Sequence, residues 1–235
     1  MHAVILAGGK GTRLSPFTQV FPKPLVPVGG KPIVDTIIRQ LKHFGFTRVT
    51  LTVGYMADLL QTYVRDGKQY GLDIDYSFEV EPLGTAGPLA RVNTVEEHLL
   101  VMNGDILTDI DYGDLVRFHK THEAMATIGT YQKQFKIELG IVHNGNGDLI
   151  TDYVEKPTYT FKVSMGIYVF NIAVLKYVCP NRYLDFPDLV KTLLAHKERV
   201  LSYSFDGYWL DIGNHRDYEQ AVDDFESVRG TLHIE

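Results

Sequence analysis

Short apolar runs alternate with stretches of helical apolar spacing through the first hundred residues, and this alternation leaves few folds open. Residues 3–6 read as a buried strand, and Ile33, Ile37, Ile38, Leu41 and Phe44 recur as one face of a helix that Gly45 stops. Residues 49–53 and 74–78 are further strands, with a helix over 59–64 between them; another helix is predicted after 84–88, before the apolar strand at 99–102. A β-α-β-α order of this kind builds a mostly parallel sheet with helices on both faces. The second half is less regular. Strands are expected at 126–131, 140–143, 153–155, 165–170, 200–205 and 208–212, with helices near 186–195 and 216–228. Asn-Gly-Asn-Gly-Asp at 144–148 is a turn between strands. The expectation is one α/β domain over 1–235 with a mostly parallel central mixed sheet flanked by helices. Its nucleotide-binding half covers about 1–110, and a half over 111–235 completes a cleft.

Charge and cysteine content exclude several classes of function. With 23 Lys and Arg against 29 Asp and Glu, the net charge is −6, and no basic run offers a footprint for nucleic acid. A small phosphorylated ligand remains compatible, because a few placed cations suffice for it. The single cysteine, Cys179, rules out an internal disulfide, points to the cytoplasm and is expected to be an inert packed thiol. The N-terminal run has neither the charged start nor the length of a signal peptide, and no stretch is long and apolar enough for a membrane span.

In open α/β sheets ligands bind beyond the carboxyl ends of the strands, so the loops to inspect follow Leu6, Val53, Phe78 and Met102. The first runs Gly8-Gly-Lys-Gly11-Thr-Arg13. Its glycines allow close backbone approach and inward N–H groups, and Arg13 adds a planar fork for phosphate oxygens. Lys23, between Pro22 and Pro24, is a second cation on a stiffened backbone. A dinucleotide fingerprint fails because Leu14 stands where a third glycine is required, and a P-loop fails because Gly30-Lys31 is followed by Pro32. Three glycines alone leave open an anion site or a plain turn.

The longer string narrows this. Gly-Gly-x-Gly-Thr-Arg-Leu14, Pro16, Thr18 and Pro22-Lys-Pro-Leu-x-Pro-Val28 closely resemble the signature of the sugar-1-phosphate nucleotidyltransferases. Further landmarks of that family follow in order: Glu81-Pro-Leu-Gly-Thr-Ala-Gly87, Asn103-Gly-Asp105, Glu155-Lys-Pro157 and Trp209-Leu-Asp-Ile-Gly213. The resemblance implies a Rossmann-like, GT-A-like catalytic domain that makes an NDP-sugar and pyrophosphate from an NTP and a sugar 1-phosphate. It assigns the nucleotide to Leu6, Ala7, Gly8, Gly9, Gly11, Thr12, Arg13, Lys23, Glu81, Gly84 and Thr85, with Arg13, Lys23 and Asp105 catalytic. Asp105, ending an apolar strand in a phosphate site, suits Mg²⁺, and Asp211 is the family's matching second carboxylate. Asn103, Gly140, Glu155 and Lys156 match positions that hold the sugar phosphate.

A glutamate at 81 can accept from the donors on guanine's edge, and the style of 81–89 resembles mannose-1-phosphate guanylyltransferases. GTP with mannose 1-phosphate or a related manno-configured sugar, such as a heptose 1-phosphate, is therefore the leading expectation. Glucose-1-phosphate thymidylyl-, uridylyl- or cytidylyl transfer, a non-catalytic nucleotide sensor of the same fold, and a glycosyltransferase using Asp73-Ile-Asp75 or Asp109-Ile-Asp111 are the alternatives. Both Asp pairs read as solvated carboxylates, and His119 with His122 lacks a third metal ligand. Met165, where relatives carry a small or polar residue, faces either the sugar pocket or the core. With few residues after 216–228, the left-handed β-helix that follows this domain in many relatives is not expected here. The expected partners are the two small substrates, with a homo-oligomer admitted and neither nucleic acid nor membrane.

Overall fold

The structure, a computed structural model, describes residues 1–79 and 81–234. Along the chain the elements are β1 (His2–Ala7), α1 (Phe17–Val20), β2 (Pro27–Val28), β3 (Lys31–Pro32), α2 (Ile33–His43), β4 (Arg48–Val53), α3 (Ala57–Val64) and β5 (Asp73–Phe78). Then come β6 (His98–Asn103), β7 (Ile106–Thr108), α4 (Tyr112–Thr121), β8 (Ala126–Lys136), β9 (Ile141–Asn144), β10 (Ile150–Val154) and β11 (Thr158–Asn171). The last are α5 (Phe186–Ala195), β12 (Val200–Phe205), β13 (Trp209–Asp211) and α6 (His215–Val228).

Seven strands form one sheet in the order β12-β8-β11-β6-β1-β4-β5. The pairs β1–β4, β1–β6, β4–β5 and β8–β12 are parallel, and β11 is antiparallel to both neighbours. The expected mostly parallel mixed sheet is thus present. Strand alternation divides the core between its faces: Ala3, Ile5 and Ala7 of β1 join Ile37, Leu41 and Phe225 on one side, while Val4 joins Phe170, Phe186 and Leu189 on the other. Each large side chain so buried contributes roughly 1.5–3 kcal/mol. Two smaller ribbons matter below: β9 pairs with β10 around the 144–148 turn, and β7 pairs with β13.

Two expectations are corrected. After 84–88 the chain makes only a 3-10 turn, Gly87–Arg91, because Pro88 enters at its start and Val92 is already extended. Cys179 is exposed and not packed, since buried Val178 anchors the segment and Cys179-Pro180 turns outward. Both Asp-x-Asp pairs have structural partners. Asp75 binds Arg48 and the Thr50 hydroxyl; Asp109 accepts from the Tyr208 N–H at 2.7 Å, and Asp111 caps α4 by accepting from the Asp114 N–H at 2.8 Å. No helix among the described residues is long and apolar enough to cross a membrane.

Candidate active site

The parallel strands β1, β4, β5 and β6 deliver their following loops to one edge of the sheet. After β1, Gly11 adopts a left-handed conformation (φ 61°), and the turn Thr12–Leu14 closes with the Leu14 N–H donating to the Gly11 carbonyl at 2.9 Å. Leu14 is fully buried beneath the turn and so holds Thr12 and Arg13 outward. The Thr18 hydroxyl donates to the same carbonyl at 2.9 Å. Buried Pro22 and Pro24 flank Lys23, whose ammonium pairs with the Asp105 carboxylate.

Asp105 arrives from the neighbouring strand. At the end of β6 the Gly104 N–H donates to the Leu6 carbonyl at 2.9 Å, and a Cβ at Gly104 would stand 2.9 Å from that oxygen. Only glycine permits this crossing, which carries Asp105 behind the β1 loop. The ribbon of β7 with β13 then sets Asp211 opposite Ile106, and the Ile212 N–H donates to the Asp105 carbonyl at 3.0 Å. Two carboxylates separated by more than a hundred positions thereby become neighbours. Arg13 completes the group, its guanidinium 3.6 Å from where a Cβ on Gly213 would be.

The electrostatics of this group are specific. Partial desolvation, and next the Asp105 carboxylate, push the Asp211 carboxyl above its ordinary range, against the pull of Lys23 and Arg13. Asp105 Oδ2 is taken by Lys23, yet Oδ1 is buried without a hydrogen-bond partner. An unpartnered carboxylate oxygen in such a place needs a cation or donor that the chain does not supply. One or two carboxylates completed by substrate phosphates suit a hard divalent cation such as Mg²⁺, so the donor set fits one. Among the described residues no cluster of three or more His, Cys, Asp or Glu forms a site that the protein alone would complete.

A cavity of about 710 Å³ runs from this group along the sheet edge. Of the sequence-expected residues, Leu6, Gly8, Gly9, Gly84, Thr85, Asn103 and Asp105 line it. Arg13, Lys23 and Asp211 belong to the charged group at its end, Ala7 is buried in β1, and Gly11 and Thr12 shape the loop. Glu81 is exposed and does not line the cavity. Tyr55, Glu79, Tyr183 and Asp185 do, and sequence reasoning missed all four. Asp185 anchors the wall by accepting from the Thr85 N–H at 2.9 Å and the Tyr183 hydroxyl at 2.6 Å.

Gly140, Glu155 and Lys156 gather around the β9–β10 ribbon, outside the cavity lining. The Tyr153 hydroxyl donates to Glu155 Oε2 at 3.0 Å and would lie 2.0 Å from a Cβ on Gly140, so a side chain there would push the exposed Tyr153 ring aside. Lys156 has a left-handed backbone (φ 44°), and its ammonium is 3.8 Å from Glu155. Met165 is buried in the core, while its carbonyl accepts from the Trp209 indole at 3.0 Å. The next residue, Gly166, has φ 72° at an irregularity of β11, and the Asn103 amide packs on it. His119 is a buried core residue bonded to Thr127 at 2.8 Å.

The nucleotidyl transferase family model matches residues 2–228. A mannose-1-phosphate guanyltransferase of Schizosaccharomyces pombe is 36% identical over 227 residues, covering 93% of this chain and 62% of the relative. A UTP–glucose-1-phosphate uridylyltransferase of Synechocystis is 32% identical over 246 residues, covering 94% and 62%. The chain thus spans about 62% of the length of these relatives. Among solved structures, a putative glucose-1-phosphate thymidylyltransferase of Bacillus anthracis in complex with a sucrose superposes with TM-score 0.76 at 24% identity, covering 95% of this chain and 94% of that one. HddC of Yersinia pseudotuberculosis complexed with GMP-PN gives 0.74 at 24% identity, covering 95% and 99%. These last two likenesses concern the fold.

Proposed function

This chain belongs to the nucleotidyl transferase family, and from that premise we propose that it joins an NTP to a sugar 1-phosphate, giving an NDP-sugar and pyrophosphate. The observation that carries the reading is the meeting of Arg13, Lys23, Asp105 and Asp211 at the end of a nucleotide-sized cavity. In the reaction a phosphate oxygen of the sugar 1-phosphate attacks the α-phosphorus. A new P–O bond forms, the bond between the α-phosphorus and its bridging oxygen to the β-phosphate breaks, and that oxygen leaves with pyrophosphate.

The nucleophile is already ionised at neutral pH, so no general base is needed, and positioning with charge neutralisation is the main requirement. Two anions must be brought together, and their Coulomb repulsion at close range is large unless cations stand beside them. Arg13, exposed above Gly213, is the fork for the triphosphate, and Lys23 is held beside it by the prolines and by Asp105. Asp105 and Asp211 would hold Mg²⁺, which when bound supplies positive charge to phosphate oxygens. The N–H-rich loop 8–13 approaches the phosphates by backbone. Asn103, on the cavity wall, and Gly140, Glu155 and Lys156 serve the sugar phosphate, Lys156 as the cation for its phosphate.

GTP with mannose 1-phosphate, or a related manno-configured sugar phosphate, is the substrate pair this reading favours, supported by the guanyltransferase relative at 36% identity. UTP with glucose 1-phosphate is the second reading, supported by the uridylyltransferase relative at 32%. Pyrophosphate release from four or five NTPs against several sugar 1-phosphates tests both. The expected result is turnover that requires Mg²⁺ and is fastest with GTP and mannose 1-phosphate. Robust turnover of UTP with glucose 1-phosphate beside inert GTP would select the second reading, and no release with any pair would exclude the activity.

A further inference from the structure

We propose that His215 is a positioning residue for Arg13: it latches the triphosphate loop onto the start of α6 and so holds the guanidinium where the phosphates arrive. This rests on the nucleotidyl transfer proposed above. Arg13 makes no ion pair of its own among the described residues. Its side chain therefore takes its place from the backbone on either side. Before it stands left-handed Gly11, whose carbonyl accepts from the Thr18 hydroxyl, and buried Leu14 seats the turn from below. Just beyond it the Ser15 carbonyl accepts from His215 Nε2 at 2.5 Å. A carbonyl can only accept, so the imidazole carries a proton on Nε2.

The contact is more than one bond. The Phe17 ring packs on the same imidazole with centroids 5.9 Å apart, and on Tyr218 at 5.2 Å. The receiving end is itself fixed. Asn214 caps α6 by accepting from the Asp217 N–H at 3.1 Å, and its amide donates to Asp217 Oδ2 at 2.7 Å. Between the anchors the Arg13 guanidinium stands above Gly213, two residues after Asp211. The latch thereby registers the β1 loop, which carries Arg13, against the segment that carries Asp211, across 200 positions of sequence.

A second tie, the Tyr55 hydroxyl donating to the Thr18 carbonyl at 3.2 Å, holds the far end of the loop, but Tyr55 also lines the nucleotide cavity. His215 lies outside that lining, so its bond can be cut without altering the cavity wall. A loop freed from α6 has to be ordered by the incoming triphosphate, which lowers both affinity and turnover. His215 is exposed and water competes for its partner, so the effect is that of one ordinary hydrogen bond, between about twofold and tenfold.

The test uses the full chain with Mg²⁺ and measures calorimetric Kd for the imido analogues of GTP and UTP beside GMP and UMP, none of which needs turnover. His215→Ala is expected to weaken the tighter-binding imido analogue by about fivefold. The matching monophosphate, which lacks the phosphates that Arg13 gathers, should stay within about twofold. His215→Gln, whose amide can donate in place of Nε2, should restore most of the loss. In an Arg13→Ala background, His215→Ala should add nothing, as for a residue that acts through the other. Equal weakening of monophosphate and triphosphate, the same loss with and without Arg13, or unchanged affinity in His215→Ala would each overturn the assignment. Imidazole nitrogen NMR of the unaltered protein at pH 8 needs no variant to fold, and a proton on Nδ1 with Nε2 bare would remove the bond itself. The expected binding pattern with no pyrophosphate release from any NTP would keep the latch and remove the proposed reaction. Release by His215→Ala with the kcat/KM of the unaltered protein would keep the reaction and remove the latch.

Discussion

At the scale of single residues, the charged group turns on Asp105. One of its oxygens neutralises Lys23 and the other is buried with no partner. Asn is nearly isosteric and keeps an acceptor for Lys23, so Asp105→Asn removes charge with little change of shape. Turnover is expected to fall by about a hundredfold or more, the scale seen when a preorganised electrostatic group is removed from a reacting centre. The thermal midpoint should move by only a few degrees, because Lys23 sits at the cleft and can regain water. Rates within twofold of the unaltered enzyme would place the centre elsewhere. Asp105 was legible in the sequence because an apolar strand ended in Asn-Gly-Asp beside an anion loop. Glu79 was not, since a carboxylate just past the end of a strand looks like any solvated edge until its backbone neighbours are known. Cys179 was misread for a similar reason: cysteine content says nothing of which way a Pro-flanked turn faces.

At the scale of elements, the loop after β5 and the segment leading into α5 support one another. The Ala86 and Gly87 N–H groups both donate to the Leu184 carbonyl, at 2.9 and 3.0 Å, and the Leu184 N–H donates back to Leu83. Gly84 lies in this seam at φ 77°, where a Cβ would be 2.5 Å from the Leu184 oxygen and 2.8 Å from Asp185 Oδ1. Gly84→Ala should therefore cost about 1–3 kcal/mol, from left-handed strain and from the forced shift of α5. Urea denaturation checks this; unchanged stability would mean the seam is looser than described. The strands and helices of the parallel half were legible because each carries its own periodicity, as α2 does through Ile33, Ile37, Ile38 and Leu41. The β7–β13 ribbon was not legible, because pairing Ile106 with Asp211 is a long-range event with no local pattern. The sequence-expected helix after 84–88 failed because Pro88 and the docking of 83–87 on Leu184 override the helical spacing beyond.

At the scale of the whole molecule, two buried histidines away from the site tie stability to pH. His2 bridges Thr94 and Thr50 at 3.0 and 2.8 Å, and burial pushes its pKa down to about 4. Burial does the same to His119, also to about 4. An unfolded histidine titrates near 6.5, so between 6.5 and about 4 the unfolded chain binds protons that the native chain does not. Stability is therefore full above that window and falls as pH drops through it, by about 2 kcal/mol for each histidine at pH 5. Denaturation at pH 7 and pH 5 reads this loss, and His119→Gln should remove part of the slope; an unaltered slope would contradict the assignment. None of this chemistry touches the reacting group, so the same pH series separates folding from turnover.

Nucleotidyl transfer moves the α-phosphorus of the NTP, and labelling that atom follows the reaction itself. GTP labelled at the α-phosphate is mixed with mannose 1-phosphate and Mg²⁺, and the products are separated. Transfer of the nucleotidyl group puts the label in the NDP-sugar alone, with unlabelled pyrophosphate released in equal amount. Label in free GMP would contradict it, and so would intact recovery, with the protein folded, of both labelled GTP and labelled UTP given glucose 1-phosphate in its turn.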